Sequence, residues 1–115
     1  MQLILVDQVQ AYLNQFSKQP VYIHLETTQG AYAARDNDKI LNSGAYIRNA
    51  QIQFLLGKIT GNGPYRVGLK MENGWVYAEG ITHWEINEAG QLLLSGHDLE
   101  GRLAVALELS RHPFS

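Results

Sequence analysis

Two His-x-Glu pairs, His24-x-Glu26 and His83-x-Glu85, are the residues of this sequence best suited to chemistry. On an extended strand, residues two apart project to one face, so each pair would set an imidazole beside a carboxylate. If the two strands were neighbours, the pairs would make a His/carboxylate set for zinc or another divalent ion, and the chain would be a small metal-dependent enzyme. Tyr22 shares the His24 face and adds a hydroxyl for hydrogen bonding or proton transfer. The plainer reading carries more weight, because polar residues are what any solvent-facing strand surface shows. No cofactor is therefore expected, with zinc as the exception to be tested.

Other groupings of reactive residues fail on spacing. His97-Asp98-Leu99-Glu100-Gly101 collects ligand-type side chains but stands where a hairpin loop is wanted. Asp36-Asn37-Asp38 begins like a calcium loop, yet Leu41 stands where that loop requires Gly and no Glu closes it. The serines lie in no nucleophile-elbow context, and Gly61-Asn62-Gly63-Pro64 lacks the Lys-Ser/Thr of a phosphate loop.

The aromatic residues make the second pattern. Tyr22, Tyr32, Tyr46, Trp75, Tyr77 and Trp84 fall on predicted strands with His24 and Arg48. A barrel mouth lined by Tyr, His and Arg suits a small anionic or sugar-like ligand, and Tyr22, His24, Glu26, Arg48, His83 and Glu85 are the candidate binding residues. Left uncovered, Trp75 and Tyr77 would anchor a protein interface instead, a homodimer being the simplest.

These side chains must be placed by strands. Pro64–Ile86 reads as a hairpin closed on Asn73-Gly74, which suits a two-residue type I′ turn. Counting outward sets Glu72 opposite Trp75, Lys70 opposite Tyr77 and Val67 opposite Gly80. Tyr65, Val67, Leu69 and Met71 then share an inner face with Val76 and Ala78, leaving Arg66, Lys70, Trp75, Tyr77 and Glu79 outside. Gly80 suggests a bulge; with one, Ile81, His83 and Glu85 turn inward, and without one they lie outside with Trp75.

Before the hairpin, Asp7 and Gln10 fit a capping box, and Val9, Tyr12, Leu13 and Phe16 form one face of a helix over about 7–18, stopped by Pro20. Strands follow at Val21–Thr27, Ala31–Arg35 and Ala45–Thr60. In the last, a bulge at Gly57-Lys58 would bring Ile52, Phe54, Leu56 and Ile59 to one face. Beyond the hairpin, strands are expected at Gln91–Gly96 and Arg102–Leu109. The pattern is mainly β: one domain over residues 1–115, a small antiparallel β-barrel of about seven strands with an N-terminal helix.

Composition narrows the function classes. A net charge of −2 with nine scattered Lys and Arg argues against nucleic acid as a partner. The short run Leu3–Val6 has no basic flank and is too short for a signal peptide or a membrane span. The absence of cysteine removes disulfides, thiolate metal sites and a Cys nucleophile, and fits a cytoplasmic protein.

The segments PVYIHLETTQGAYA (Pro20–Ala33), GAYIRNAQI (Gly44–Ile52) and WVYAEGITHW (Trp75–Trp84), with the N-terminal helix, resemble the YojF-like family of small bacterial proteins. The resemblance runs the length of the chain. It implies a compact β-barrel of the bacterial cytosol and supplies no catalytic residue. It also implies a gene neighbourhood shared with LmbE-like zinc-dependent deacetylases of small-thiol metabolism, which makes such an enzyme a conceivable partner. No specific activity is legible in the residues. The expectation is a non-catalytic binding or accessory protein, acting as a homodimer or beside an enzyme.

Overall fold

The computed structural model describes residues 1–28 and 44–115. The strand expected at Ala31–Arg35, Tyr32 and most of the loop expected over Asp36–Gly44 lie outside the described residues.

Helix α1 spans Val6–Phe16 and follows the two-residue strand β1, Gln2–Leu3. Its apolar spacing works as expected: Val9, Leu13 and Phe16 are fully buried, each contributing about 1.5–3 kcal/mol by leaving water. The capping box does not form. The helix starts one residue early, with Leu5 at the N-cap and no side-chain cap. Asp7 therefore sits inside the first turn, where its charge still favours the positive end of the helix dipole. The far end also stops short of expectation. Lys18 takes a left-handed φ of 64°, and its N–H donates to the Phe54 carbonyl at 2.7 Å.

The described strands pair antiparallel throughout. They are β2 (Val21–Thr27), β3 (Ala45–Ile52), β4 (Leu56–Gly61), β5 (Tyr65–Met71), β6 (Gly74–Ile81), β7 (His83–Ile86), β8 (Leu92–His97) and β9 (Leu103–Ser110). They form a six-stranded sheet, β1-β7-β8-β9-β2-β3, and a three-stranded sheet, β4-β5-β6. No closed barrel is found among the described residues. The two sheets and α1 enclose one core that includes Leu13, Phe16, Ile23, Phe54, Val67, Leu69, Ile81, Leu94 and Leu107.

The long strand expected from Ala45 to Thr60 is two strands. The chain leaves one sheet after Ile52 and enters the other at Leu56, with Phe54 buried at the crossing. Ile59 faces the core as expected, but Leu56 faces solvent at 47% exposure.

The hairpin keeps its faces and changes its register. Met71 pairs with Gly74, so the loop is Glu72-Asn73 and Gly74 is already a strand residue. Lys70 lies opposite Trp75, Gly68 opposite Tyr77 and Arg66 opposite Glu79. The slip moves each pairing by two, an even number, so Val67, Leu69 and Ala78 remain buried. Cross-strand pairs explain the choice. In this register Arg66 bridges Glu79 at 2.7 Å, and Tyr77 lies over Gly68, where a side chain would crowd its ring.

Gly80 is the expected bulge, with φ of +83°. It turns Ile81 fully into the core. His83 and Glu85 do not follow. The chain passes between sheets at Thr82, whose N–H donates to the Ser95 carbonyl and whose carbonyl accepts from Ile4. Beyond that point Trp84 and Ile86 face the core, and His83 and Glu85 are half-buried on the outer face.

Candidate functional site

Strand β2 lies between β9 and β3, so its outward residues have neighbours on both sides. His24 is in register with Glu108 of β9 and Arg48 of β3; Glu26 is in register with Ala106 and Tyr46. Arg48 reaches this face through a bulge. The β2–β3 pairing skips Asn49, which takes φ of 60°. Asn tolerates the left-handed region better than most residues, so the bulge has a local cause in the sequence.

His24 is only 5% exposed, and both its ring nitrogens are engaged. Nδ1 lies 3.2 Å from Arg48 Nη1 and Nε2 lies 3.1 Å from Glu26 Oε1. A guanidinium can only donate, so Nδ1 accepts. The ring proton then sits on Nε2 and is donated to the Glu26 carboxylate. The ring is held from both ends, in the orientation these two contacts set. Tyr46 meets the His24 ring edge-on at 5.2 Å, and Phe114 does so at 6.3 Å. Glu108 approaches Arg48 at 3.9 Å, a long pairing between partly buried side chains. Tyr22 shares the face two residues along, opposite Ser110 and Gln51.

The second His-x-Glu pair is elsewhere. His83 and Glu85 are on β7, and β8 and β9 separate that strand from β2. Three strand spacings amount to about 14 Å, so the pairs share a face of one sheet and cannot share one ion. His83 Nδ1 lies 2.6 Å from Thr82 Oγ1, and its ring meets His97 edge-on at 5.1 Å. Glu85 takes an ion pair from the Met1 amino group at 3.4 Å. Among the described residues, no cluster of three or more metal-ligating side chains occurs.

Trp75 and Tyr77 lie on the outer face of the three-stranded sheet, 46% and 45% exposed. Their rings stack 5.3 Å apart and nearly parallel, at 6°. The Arg66 guanidinium lies 4.4 Å from the Tyr77 ring, and the Lys70 ammonium 5.8 Å from the Trp75 ring. The four side chains form a cation–ring–ring–cation ladder. Lys70 was expected on Tyr77; the hairpin register sets it on Trp75 instead. Lys58 is opposite Gly68 on the same face. A separate cleft of about 290 Å³ lies among Leu3, Ile4, Gly63, Pro64, Tyr65 and Thr82. It is largely apolar, and its described lining residues include no carboxylate or imidazole.

Sequence reasoning put Tyr22, His24 and Glu26 on one face and grouped Arg48 with them as a candidate binding residue. It missed Asn49, Glu108 and Phe114. Only the left-handed tendency of Asn49 was visible in principle, as a possible bulge in a strand.

A family model described as a protein of unknown function, DUF1806, matches residues 3–114. The chain is 50% identical over 115 residues to the uncharacterized protein YojF of Bacillus subtilis (strain 168), covering 100% of this chain and 99% of that one. It is also similar to the crystal structure of Bacillus subtilis YojF, with a TM-score of 0.83 and 46% identity over 99% of this chain and 96% of that one. The family match spans residues 3–114 and the relatives agree with it, so the protein belongs to the DUF1806 family.

Proposed function

We propose that this protein is a non-catalytic binding or accessory protein that docks on a partner through the outer face of its three-stranded sheet. The observation that carries the reading is the exposed Trp75–Tyr77 stack. Aromatic rings held rigid by flanking cations lose little freedom on binding, and Trp, Tyr and Arg are the residues that dominate interface energetics. A catalytic reading through His24, Glu26, His83 and Glu85 needs those groups to converge, and they lie on non-adjacent strands.

Charge favours a partner of a different kind over a second copy. Arg66 is paired with Glu79, while among the described residues Lys58 and Lys70 make no ion pair. Two-fold self-pairing would bring these lysines near each other. A surface bearing carboxylates would complement them. The LmbE-like deacetylase suggested by the family resemblance is the first partner to try.

The test is sedimentation and native mass spectrometry of the purified protein, alone and with that enzyme, in wild-type and Trp75→Ala forms. Complex formation weakened about tenfold or more by Trp75→Ala supports the reading, since loss of one central aromatic typically costs more than about 1–2 kcal/mol. A complex indifferent to Trp75 would overturn the assigned face. A homodimer lost on Trp75→Ala would make the second copy the partner.

A further inference from the structure

Phe114 rests on the His24 cluster in the way an extended peptide rests on a protein that recognises it. The Asn49 side-chain amide pairs with both backbone groups of Phe114. Nδ2 donates to the Phe114 carbonyl at 2.9 Å, and Oδ1 accepts from the Phe114 N–H at 2.7 Å. This contact reads backbone, as a neighbouring strand would. Arg48 Nη2 donates to the carbonyl of Ser115 at 2.9 Å. The Phe114 ring is buried beside the Arg48 guanidinium, 4.7 Å from its centroid, and meets the His24 ring at 65°.

What precedes Phe114 is tied elsewhere. Arg111 Nε donates to Gln19 Oε1 at 3.2 Å, and its guanidinium lies over the Phe16 ring. His112 N–H donates to Ser110 Oγ. Residues 113–115 belong to no strand. They are held by the side chains of Asn49 and Arg48 and by ring contacts, so they can leave without opening a ladder.

We infer that Asn49, Arg48 and His24 form a recognition site for an extended peptide segment bearing an aromatic side chain, filled here by the protein's own Pro113–Ser115. The amide clamp fixes an extended backbone, the slot beside Arg48 and His24 selects a ring, and Arg48 takes the next carbonyl. Release of the segment opens the face that carries His24 and Glu26. The inference does not rest on the Trp75 face, which belongs to the other sheet.

The experiment uses the full chain carrying Phe114→Ala, titrated with a synthetic peptide covering residues 110–115 and followed by amide chemical shifts. Saturable binding is expected, with shifts at Asn49 and His24. The wild-type chain should need about tenfold more peptide or higher, because its own segment competes at high effective concentration. A peptide with Ala in place of Phe should not bind. Adding Asn49→Gly, which suits the left-handed φ and removes the amide, should abolish binding. No saturable binding to Phe114→Ala, or binding indifferent to Asn49→Gly, would overturn the proposal. Amide exchange at Phe114 in otherwise wild-type protein gives an independent check. It should accelerate about tenfold or more in Asn49→Gly, as expected for local opening, and an unchanged rate would overturn the clamp.

Discussion

The side-chain amide of Gln10 lies against the edge of β4 as a paired strand would. Nε2 donates to the Gly57 carbonyl at 2.7 Å, and Oε1 accepts from the Ile59 N–H at 3.1 Å. One helical side chain thus satisfies two backbone groups on the edge strand of the smaller sheet and fixes α1 over it. Gln10→Ala leaves both groups without that partner in a part-buried site. A loss of about 1–3 kcal/mol is expected, seen as a lower urea midpoint with an unchanged m-value. A loss under about 0.5 kcal/mol, the usual range for an exposed substitution, would contradict this role.

Gly96 lies directly against the backbone of Gly80. A Cβ on Gly96 would fall well inside contact distance of the Gly80 carbonyl oxygen and against Val105 Cγ1. Backbone cannot yield as a flexible side chain can. Gly96→Ala should destabilise the fold by more than about 3 kcal/mol, the upper range for overpacking. Gly80→Ala meets only Val105 Cγ1, at an ordinary contact distance of 4.0 Å, but a φ of +83°, and should cost only about 1–2 kcal/mol. Thermal melts of the two variants should rank in that order; the reverse order would show that strain at the bulge outweighs the sheet contact.

His24 is expected to be the Nε2–H tautomer, because Arg48 donates to Nδ1 and Glu26 accepts from Nε2. Long-range proton–nitrogen correlation spectra of the imidazole report this directly. In Arg48→Met the bond holding Nδ1 disappears, and the two nitrogen shifts should move toward the averaged values of a mobile ring. A wild-type ring protonated on Nδ1 alone would contradict the assignment.

Asp98 organises the turn between β8 and β9. Its carboxylate accepts from the Arg102 N–H at 3.0 Å, from the Glu100 N–H at 2.9 Å and from Arg102 Nε at 3.1 Å. The Arg102 backbone bond is the main reason its pKa is held below the ordinary carboxylate value, with the Glu100 bond and the Arg102 charge adding to it. The folded value is thus lower than the unfolded one. The charged group's contribution is present above the unfolded pKa and is lost as pH falls through the folded one. Asp98→Asn keeps an acceptor but not the charge. Its urea midpoint should fall below wild type near neutral pH and converge with it in strong acid. A gap that widens in acid would give the linkage the opposite sign.

Local pattern determined much of this protein. The apolar spacing of Val9, Leu13 and Phe16 specified the buried helix face, and alternation specified the inner face of β5. Glycine at position 80 marked the bulge that turns Ile81 inward. These features follow from steric periods of 3.6 and 2 residues, which act within a few residues of chain. Tertiary structure decided the rest. Two His-x-Glu pairs look equivalent in sequence, yet sheet order sets β8 and β9 between them. Arg48 meets His24 only because Asn49 is skipped in the β2–β3 pairing, and Gln10 leaves its own helix end for an edge strand 47 residues away. The hairpin took the register that suits Arg66–Glu79 and Tyr77 over Gly68 rather than the one its Asn-Gly dipeptide favours. Each of these is a choice among long-range pairings of similar local merit, settled by which one satisfies the most backbone groups and packs the most side chains at once.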